Sequence, residues 1–279
     1  MVQILAARGL TDPVILPGDD RGLAYGDGLF ETLLVRRGRP QLFAAHCQRM
    51  LAGAARLRIP LEQADLDQAL WQASGLLRQA GAGEALVLKL VLTRGSGGRG
   101  YRAPRHPEPR LLVSVHRAPP PPPSDGVAVV VSSVPLTVNP LLAGLKTLGR
   151  LEQVLASEDI PDDGYEALMT GDQGDLREGT RTALIFRWQG QWYTPPRDRV
   201  AVNSVMVGHM AAALADRGEH LREGVLYPEQ CHQPGFEGLL LLNSVIGAVP
   251  VRTLAGRRLP RSDRLATIIS LAKHVEEFR

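Results

Sequence analysis

Lysine is scarce in this sequence, and its three positions differ in the chemistry they allow. Lys89 lies in an apolar, strand-like segment and Lys273 in the last predicted helix, where a charged amine is typical of the protein surface. Lys146 follows a small, apolar segment, residues 140–145, and precedes a predicted helix. Burial there would lower its pKa from about 10.4 and make the free amine available for Schiff-base formation. A surface charge remains the alternative for Lys146.

Two further residues have side chains suited to holding a proton or an anion. Glu178 lies in the segment LREGT, at a turn between predicted strands, where most carboxylates are solvated charges. Arg49 lies on the helix predicted to begin at residue 44. A planar guanidinium can bind a phosphate or carboxylate through two parallel hydrogen bonds, although a surface arginine is the more common case.

The glycine-rich segment RGSGGRGY, residues 94–101, is a third candidate region. It is not a P-loop, because the lysine and the following Ser or Thr are missing. Arg94 and Arg99 stand among four glycines, which would let their guanidinium groups approach an anionic substrate closely, with Tyr101 beside them. The alternative is that the two arginines only order the loop. His46 lacks partners at metal-ligand spacing and no serine lies in a GxSxG elbow, so neither a metal site nor serine-hydrolase chemistry is expected.

The composition narrows the class of protein that must position these residues. Hydrophobic residues make up 44% and charged residues 22% of 279, which is typical of globular proteins and excludes disorder of the whole chain. A net charge of +3 gives no argument for nucleic-acid binding. Two cysteines provide no disulfide framework, and no apolar run approaches the ~20 residues that cross a bilayer. We therefore expect a cytoplasmic protein that binds neither nucleic acid nor membrane.

Hydrophobic periodicity and turn residues predict a mixed α+β chain in two parts. A run of five prolines, residues 119–123, indicates an extended linker between domains at 1–118 and 124–279. The first part has a predicted hairpin of strands at 33–35 and 42–43, helices at 44–57 and 66–80, and further strands at 85–93 and 111–115. The second part has predicted strands at 127–131 and 239–242, a β-meander over 167–193, and helices at 148–157, 204–215 and 263–277. This pattern argues against a nicotinamide-type dinucleotide fold, because no GxGxxG turn occurs in a βαβ series.

Seven stretches, spread over nearly the whole chain, match one family in the same order. The chain resembles the fold-type IV pyridoxal-phosphate enzymes, and within them the aminodeoxychorismate lyase branch. YGDGxFET and the EGT turn mark the fold type broadly, whereas RGSGGRGY and LKxLxRLEQV are typical of the lyase branch. The matching stretches are DRGLAYGDGLFETLLVRRGRPQLF (20–43), HCQRML (46–51), RGSGGRGY (94–101), LKTLGRLEQVLA (145–156), EALMTGDQGDLREGT (166–180), VNSVM (202–206) and LLLNSVIGAVPV (240–251).

The resemblance implies roles for residues that composition and spacing leave open. Lys146 would carry the pyridoxal 5'-phosphate covalently and act as the catalytic base, and Glu178 would keep its pyridine nitrogen protonated. The cofactor phosphate would be bound by four other residues: Arg49, the backbone amides of Val205 and Met206, and the hydroxyl of Ser244. The implied architecture is a smaller N-terminal α+β domain and a larger β-rich domain, with the cofactor in the cleft between them and a homodimer.

The same resemblance implies a reaction. A lyase of this branch converts 4-amino-4-deoxychorismate to 4-aminobenzoate and pyruvate for folate biosynthesis, and its substrate carries two carboxylates. Arg94, Arg99 and Tyr101 would be the substrate-binding residues. The alternative is a branched-chain or D-amino acid aminotransferase of the same fold, which would share Lys146, Glu178 and Arg49.

A third hypothesis is a cofactor-binding dimer that has lost turnover. Two departures from the family pattern motivate it: Thr182 and Ala183 end the EGTxSN motif, and Ser204 and Val207 replace the glycine and arginine of GIxR.

Overall fold

The computed structural model describes residues 2–6, 13–79, 85–97, 100–273 and 275. The chain divides into two compact units. One includes Met1–Pro119 together with Leu145–Gly149, and the other includes Pro120–Gly144 and Arg150–Val275. The proline run at 119–123 forms neither helix nor strand. Within the described ranges, no helix is long and apolar enough to cross a membrane.

The first unit contains a five-stranded sheet and two long helices. Its strands lie in the order β1-β5-β4-β2-β3, with β1 and β5 parallel and the other neighbours antiparallel. The elements are β1 (Gln3–Ala6), α1 (Arg21–Tyr25), β2 (Gly28–Arg36), β3 (Arg39–Pro40), α2 (Phe43–Leu57), α3 (Gln63–Gln79), β4 (Leu86–Thr93) and β5 (Arg110–Arg117).

Alternate residues of the central strands point to opposite faces of the sheet, and helices α2 and α3 cover one of these faces. Leu29, Leu33, Leu88 and Leu90 point to one face and pack with Met50 and other residues of α2 and α3 in a single buried cluster. The residues between them point to the opposite face, which we call the outer face. We define it by the paired residues of β2, β4 and β5, namely Phe30, Thr32, Leu34, Val87, Lys89, Val91, Leu112, Ser114 and His116.

The predicted hairpin is present, but one of its strands was placed wrongly. β2 and β3 pair antiparallel around Arg37 and Gly38, as expected. Leu42 has φ of 53° and caps α2, which begins at Phe43, so the predicted strand at 42–43 does not exist. The left-handed backbone at Leu42 turns the chain out of the extended conformation. The helix ends at Leu57 before Pro60, as the sequence indicates.

The second unit contains a nine-stranded sheet with helices around it. The strand order is β11-β10-β9-β12-β13-β6-β7-β8, and β14 pairs with β13. A 3-10 helix covers Pro228–His232. The elements are β6 (Val127–Val131), α4 (Leu151–Ser157), β7 (Glu166–Thr170), β8 (Leu176–Gly179), β9 (Ala183–Trp188), β10 (Gln191–Thr194), α5 (Val205–Ala215), β11 (Leu221–Glu223), β12 (Phe236–Asn243), β13 (Gly247–Leu254), β14 (Arg257–Arg258) and α6 (Leu265–Lys273).

Two predictions for the second part of the chain were wrong in detail. The expected meander is two separate hairpins, β7–β8 and β9–β10, because β9 pairs with β12 rather than with β8. The expected helix from Leu148 begins at Leu151. Leu148 lies at a bend before the helix, and its amide donates to the carbonyl of Gly28 at 3.1 Å. The α+β fold class is confirmed, with an α+β first unit and a larger, strand-rich second unit.

Candidate functional site

Lys146 is held beside β2 by the backbone of its own segment. The carbonyl of Lys146 accepts from the amide of Phe30 at 2.9 Å, and Thr147 forms an antiparallel bridge with Leu29. This short ladder fixes residues 146–148 along the edge of the first unit's sheet. The Lys146 ammonium lies 4.2 Å from the centroid of the Phe30 ring. The side chain is partly buried, and an aromatic face at this distance attracts the charged amine.

Arg49 is fixed by a buried carboxylate that sequence reasoning missed. Its Nε and Nη2 donate to the two oxygens of Glu31, at 2.7 and 2.5 Å. The same carboxylate accepts from Nδ1 of His46 at 2.6 Å, and the side chains of Glu31 and His46 are at most 2% exposed. Glu31 lies on the helix-covered face of β2, two residues from Leu29 and two residues from Leu33. Because the bond is bidentate, the orientation of the Arg49 guanidinium is set by the sheet.

The charges in this cluster are determined by their neighbours. Burial alone would raise the pKa of Glu31, but the hydrogen bonds and charge of Arg49, with those of His46, lower it to about 2. Burial lowers the pKa of His46; Glu31 opposes this, while the charges of Arg49 and Lys146 add to the lowering. His46 is therefore neutral near pH 7, and it donates through Nδ1.

Glu178 is held in the second unit by backbone amides. Its Oε2 accepts from the amides of Ala201 and Val202, at 3.0 and 3.2 Å, and the residue is buried. Glu178 lies on β8 and lines the same small pocket as Ser204 and Val207, at the start of α5. The two amide donors fix the carboxylate in place.

The start of α5 has the properties of an anion site. The Ser204 hydroxyl caps the helix by accepting from the amide of Val207 at 3.3 Å. Val205 and Met206 supply the first amides of the helix, which have no acceptor within it. Helix N-termini bind phosphate through such amides and the helix dipole. Ser204 and Val207, the departures from GIxR, therefore leave a capped helix start.

The EGT turn is organised around a second carboxylate that the sequence did not single out. Glu166 is fully buried on β7, and its oxygens accept from the amide and hydroxyl of Thr180 and from the hydroxyl of Thr182. Gly179 is required there, because a Cβ would lie 2.4 Å from the Thr182 hydroxyl. Burial raises the pKa of Glu166 despite these hydrogen bonds. The Thr182 hydroxyl is therefore part of the hydrogen-bond network around Glu166.

Ser244 follows β12 in a turn adjoining the EGT turn. The side-chain oxygen of Asn243 accepts from the amides of Val245 and Ile246, both at 2.9 Å, and so shapes the turn that contains Ser244. The Asn243 amide group donates to the carbonyl of Arg181 at 3.2 Å. The structure therefore places the predicted Ser244 next to the segment that follows Glu178.

The three predicted substrate-binding residues have different outcomes. Arg94 is buried, and four of its hydrogen bonds go to Asp27 and to the carbonyls of Leu57 and Arg58 at the end of α2, all at 2.7–2.9 Å. This arrangement favours the structural alternative for Arg94. Tyr101 is 87% exposed and lies 5.4 Å from the ring of Tyr25. Arg99 lies outside the described residues. Among the residues that are described, no cluster of potential metal ligands is present.

The comparisons with known proteins agree on one family. The family of class IV amino-transferases matches residues 28–254. The chain is 31% identical over 250 residues to the aminodeoxychorismate lyase of Vibrio harveyi, which covers 85% of this chain and 86% of that protein. The chain belongs to the amino-transferase class IV family. This confirms the family resemblance that the sequence motifs indicate.

Other members of the family cover nearly the same length. A bifunctional aminodeoxychorismate lyase / D-amino acid transaminase of Mycobacterium tuberculosis is 27% identical over 277 residues, 89% of each chain. The crystal structure of 4-amino-4-deoxychorismate lyase from Pseudomonas aeruginosa has a TM-score of 0.85 at 35% identity, and covers 95% of this chain and 97% of that one. The branched-chain amino acid aminotransferase of Escherichia coli has a TM-score of 0.79 at 18% identity, over 92% and 90% of the two chains, and shows the shared fold.

Proposed function

We propose that this class IV protein is a pyridoxal-phosphate-dependent lyase that converts 4-amino-4-deoxychorismate to 4-aminobenzoate and pyruvate. The similarity over nearly the whole chain to lyases of Vibrio harveyi and Pseudomonas aeruginosa supports this reaction. The observation that carries the proposal is the pair of fixed groups that such chemistry requires. Lys146 is anchored by the ladder to β2, and Glu178 is anchored by two backbone amides.

The residues present fit pyridoxal phosphate. A buried carboxylate held by amides matches a protonated pyridine nitrogen, and the capped start of α5, which lines the same pocket, matches a phosphate. In the first unit, Arg49 supplies a cation with a fixed orientation, which we propose also binds the phosphate. Val205, Met206 and Ser244 would complete the phosphate contacts.

The chemistry of this chain's residues then follows from their positions. Bound pyridoxal phosphate supplies the electron sink that makes the C–H bond beside the substrate amine acidic. Lys146, as the free amine, takes that proton at Nζ, and enolpyruvate departs from the neighbouring ring carbon. The same Nζ returns a proton to the departing enol, so one residue serves first as base and then as acid. Glu178 would hold the pyridine nitrogen of the bound cofactor by accepting a hydrogen bond from its N–H.

The first test of this assignment is the variant Lys146→Ala, compared with Lys273→Ala on the last helix. We expect Lys146→Ala to lose the cofactor's visible absorbance and at least about 10³-fold of turnover, because base and cofactor link are lost together. Lys273→Ala should keep both, since Lys273 is exposed on α6. Retention of absorbance and turnover by Lys146→Ala would contradict the catalytic assignment.

An aminotransferase acting on a branched-chain or D-amino acid is the second candidate. The M. tuberculosis relative, whose name gives both activities, favours keeping it. An aminotransferase needs a keto acid to complete its cycle, whereas the lyase does not. Amino transfer from D-alanine or L-leucine to 2-oxoglutarate, measured on the same preparation as pyruvate release, separates the two.

We also propose that the enzyme is a cytoplasmic homodimer, as the resemblance implies. Light scattering during size-exclusion chromatography tests the oligomer, and a mass of about twice 30.2 kDa is expected.

A further inference from the structure

Arg21 is a buried arginine that the proposed reaction does not use. It is the first residue of α1, and its side chain is 4% exposed. The Asp20 carboxylate caps α1 by accepting from the amide of Gly22 at 2.8 Å. Gly22 lies against β4, because a Cβ at this position would meet the Thr93 side chain at 2.4 Å. These contacts fix α1 beside the end of β4, where the glycine-rich segment 94–101 begins.

The Arg21 guanidinium donates to backbone carbonyls at the far end of that segment. Its Nη2 donates to the carbonyl of Tyr101 at 2.8 Å, and its Nη1 donates to that of Gly100 at 3.1 Å. The backbone amide of Arg21 donates to the carbonyl of Gly95 at 3.0 Å, near the beginning of the segment. Glycine loses more conformational freedom on ordering than other residues do, so a segment rich in glycine depends on such contacts to keep one arrangement.

Asp27 balances the charge of Arg21 and links it to Arg94. The Oδ2 atom of Asp27 accepts from Nε of Arg21 at 2.9 Å and from Nε of Arg94 at 2.7 Å. Burial raises the pKa of Asp27, but the hydrogen bonds and charges of the two arginines outweigh burial and lower the pKa. Asp27 is therefore an anion at pH 7, and it holds the Arg21 guanidinium in the orientation from which the other donors reach the carbonyls.

A ring contact supports the same end of the segment. The Arg21 guanidinium lies 4.9 Å from the centroid of the Tyr25 ring, and that ring lies 5.4 Å from the ring of Tyr101. Tyr101 is 87% exposed, although its carbonyl is bound to a buried cation. This exposed residue is thus held through its backbone by Arg21 and through its ring by Tyr25. All of these residues belong to the first unit.

We propose that Arg21 is a positioning residue for substrate binding. It holds the backbone of the segment 94–101 in the arrangement that binds the substrate, and it does not itself contact the substrate, because its guanidinium is buried and bonded to Asp27 and two carbonyls. The inference rests on the proposed function, from which it takes the substrate.

The first test is Arg21→Lys, measured on the holoenzyme by pyruvate release. Lysine keeps the charge beside Asp27 but lacks the planar fork that serves Asp27 and two carbonyls together. We expect the KM for 4-amino-4-deoxychorismate to rise about tenfold, because the segment loses its arrangement. The kcat should change less than about threefold, and cofactor absorbance should stay unchanged, since the cofactor is assigned to other residues. Arg258→Lys, at an exposed position on β14, is the matched control.

A second variant changes the segment without touching Arg21. Gly100 has φ of 78°, and a Cβ built there meets no described atom within 4 Å. Gly100→Ala therefore strains the backbone alone, and should raise the same KM about tenfold. Gly100→Asn should stay within about threefold of the wild type, because asparagine tolerates the left-handed conformation.

The double variant Arg21→Lys/Gly100→Ala tests whether the two residues act through one arrangement. Its KM should exceed that of Arg21→Lys by less than about threefold, whereas independent effects would multiply to about a hundredfold. Measured Tm values check that each variant is folded. A merely structural role for Arg21 would lower Tm and the fraction of loaded enzyme, but it would leave the KM of the loaded enzyme unchanged.

The outcomes separate this inference from the proposed function. Pyruvate release by the wild type with an unchanged KM in Arg21→Lys would overturn the role of Arg21 alone, and so would independent effects in the double variant. If Arg21→Lys does not fold, Gly100→Ala decides, and an unchanged KM in that variant would overturn the inference. A wild-type holoenzyme that releases no pyruvate from 4-amino-4-deoxychorismate would overturn both.

Discussion

Glu31 in the first unit and Glu166 in the second are equally buried carboxylates whose pKa values move in opposite directions. Glu31 is 1% exposed and Glu166 is fully buried. Two nitrogens of Arg49 reach Glu31 at 2.5–2.7 Å, and they outweigh the cost of burial. Glu166 has hydroxyl and amide donors, and its nearest guanidinium, Arg181, is 3.6 Å away on a side chain that is 57% exposed. Burial dominates there, and its pKa rises.

The difference shows that the charge partner, rather than burial, decides what a buried carboxylate contributes. Glu31 is a permanent anion that orients Arg49 and keeps His46 in one tautomer. Burial raises the pKa of Glu166, and its oxygens accept the hydrogen bonds that shape the turn after Glu178. One unit thus fixes its site through an ion pair, and the other through hydrogen bonds.

The largest expected effect on the free energy of unfolding comes from removing the negative charge of Glu31 in the first unit. Glu31→Gln should lower the free energy of unfolding by about 3 kcal/mol at pH 7, because it removes the buried carboxylate charge that faces the Arg49 guanidinium. It should also weaken binding of the cofactor, since the Arg49 orientation is lost. Chemical denaturation and cofactor titration measure the two effects, and Glu62→Gln, at an exposed position, is the control. A loss below 1 kcal/mol would mean that the ion pair does not set the structure there.

A smaller effect is expected for the corresponding change in the second unit. Glu166→Gln should cost about 1 kcal/mol, because the amide keeps one acceptor for Thr180 and loses little charge interaction. The same denaturation experiment measures it. A cost as large as that of Glu31→Gln would remove the distinction between the two carboxylates.

The two carboxylates are also expected to differ in how the loss of unfolding free energy caused by each Glu→Gln change depends on pH. The lowered pKa of Glu31 means that its contribution is fully present above pH 4.5 and disappears as the pH falls toward about 2. The raised pKa of Glu166 means that its contribution is present below pH 4.5 and disappears as the pH rises through the folded-state pKa. The cost of Glu31→Gln should shrink on acidification, and that of Glu166→Gln should grow. Slopes of the same sign would refute the opposite shifts.

The sequence predicted those parts of the fold that depend on local pattern. β6 and α2 have the predicted bounds to within one residue, because β-branched alternation, helical spacing and Pro60 are local signals. The meander was wrong because the partner of β9 is β12, about fifty residues later in the chain, and no local pattern encodes that pairing.

In the candidate site, too, local motifs predicted some features, whereas others depend on contacts between distant parts of the chain. Resemblance located Lys146, Glu178 and Arg49 by motif. It did not show how they are held, because Glu31 and Arg49 meet only after β2 and α2 have packed. One signal was available: Glu31 is the charged residue in a series of alternate apolar positions on β2. For Arg94, the partner Asp27 lies 67 residues away, so the structural use of that arginine could not be read from the chain.

The measurement that tests the central claim most directly is pyruvate release by the purified holoenzyme from 4-amino-4-deoxychorismate without any keto acid. Pyruvate is followed by coupling to lactate dehydrogenase, and 4-aminobenzoate is followed by chromatography. The account predicts both products in equal amounts, and none from Lys146→Ala. Formation of product only when a keto acid is added, or no product from an enzyme with its cofactor bound, would contradict it.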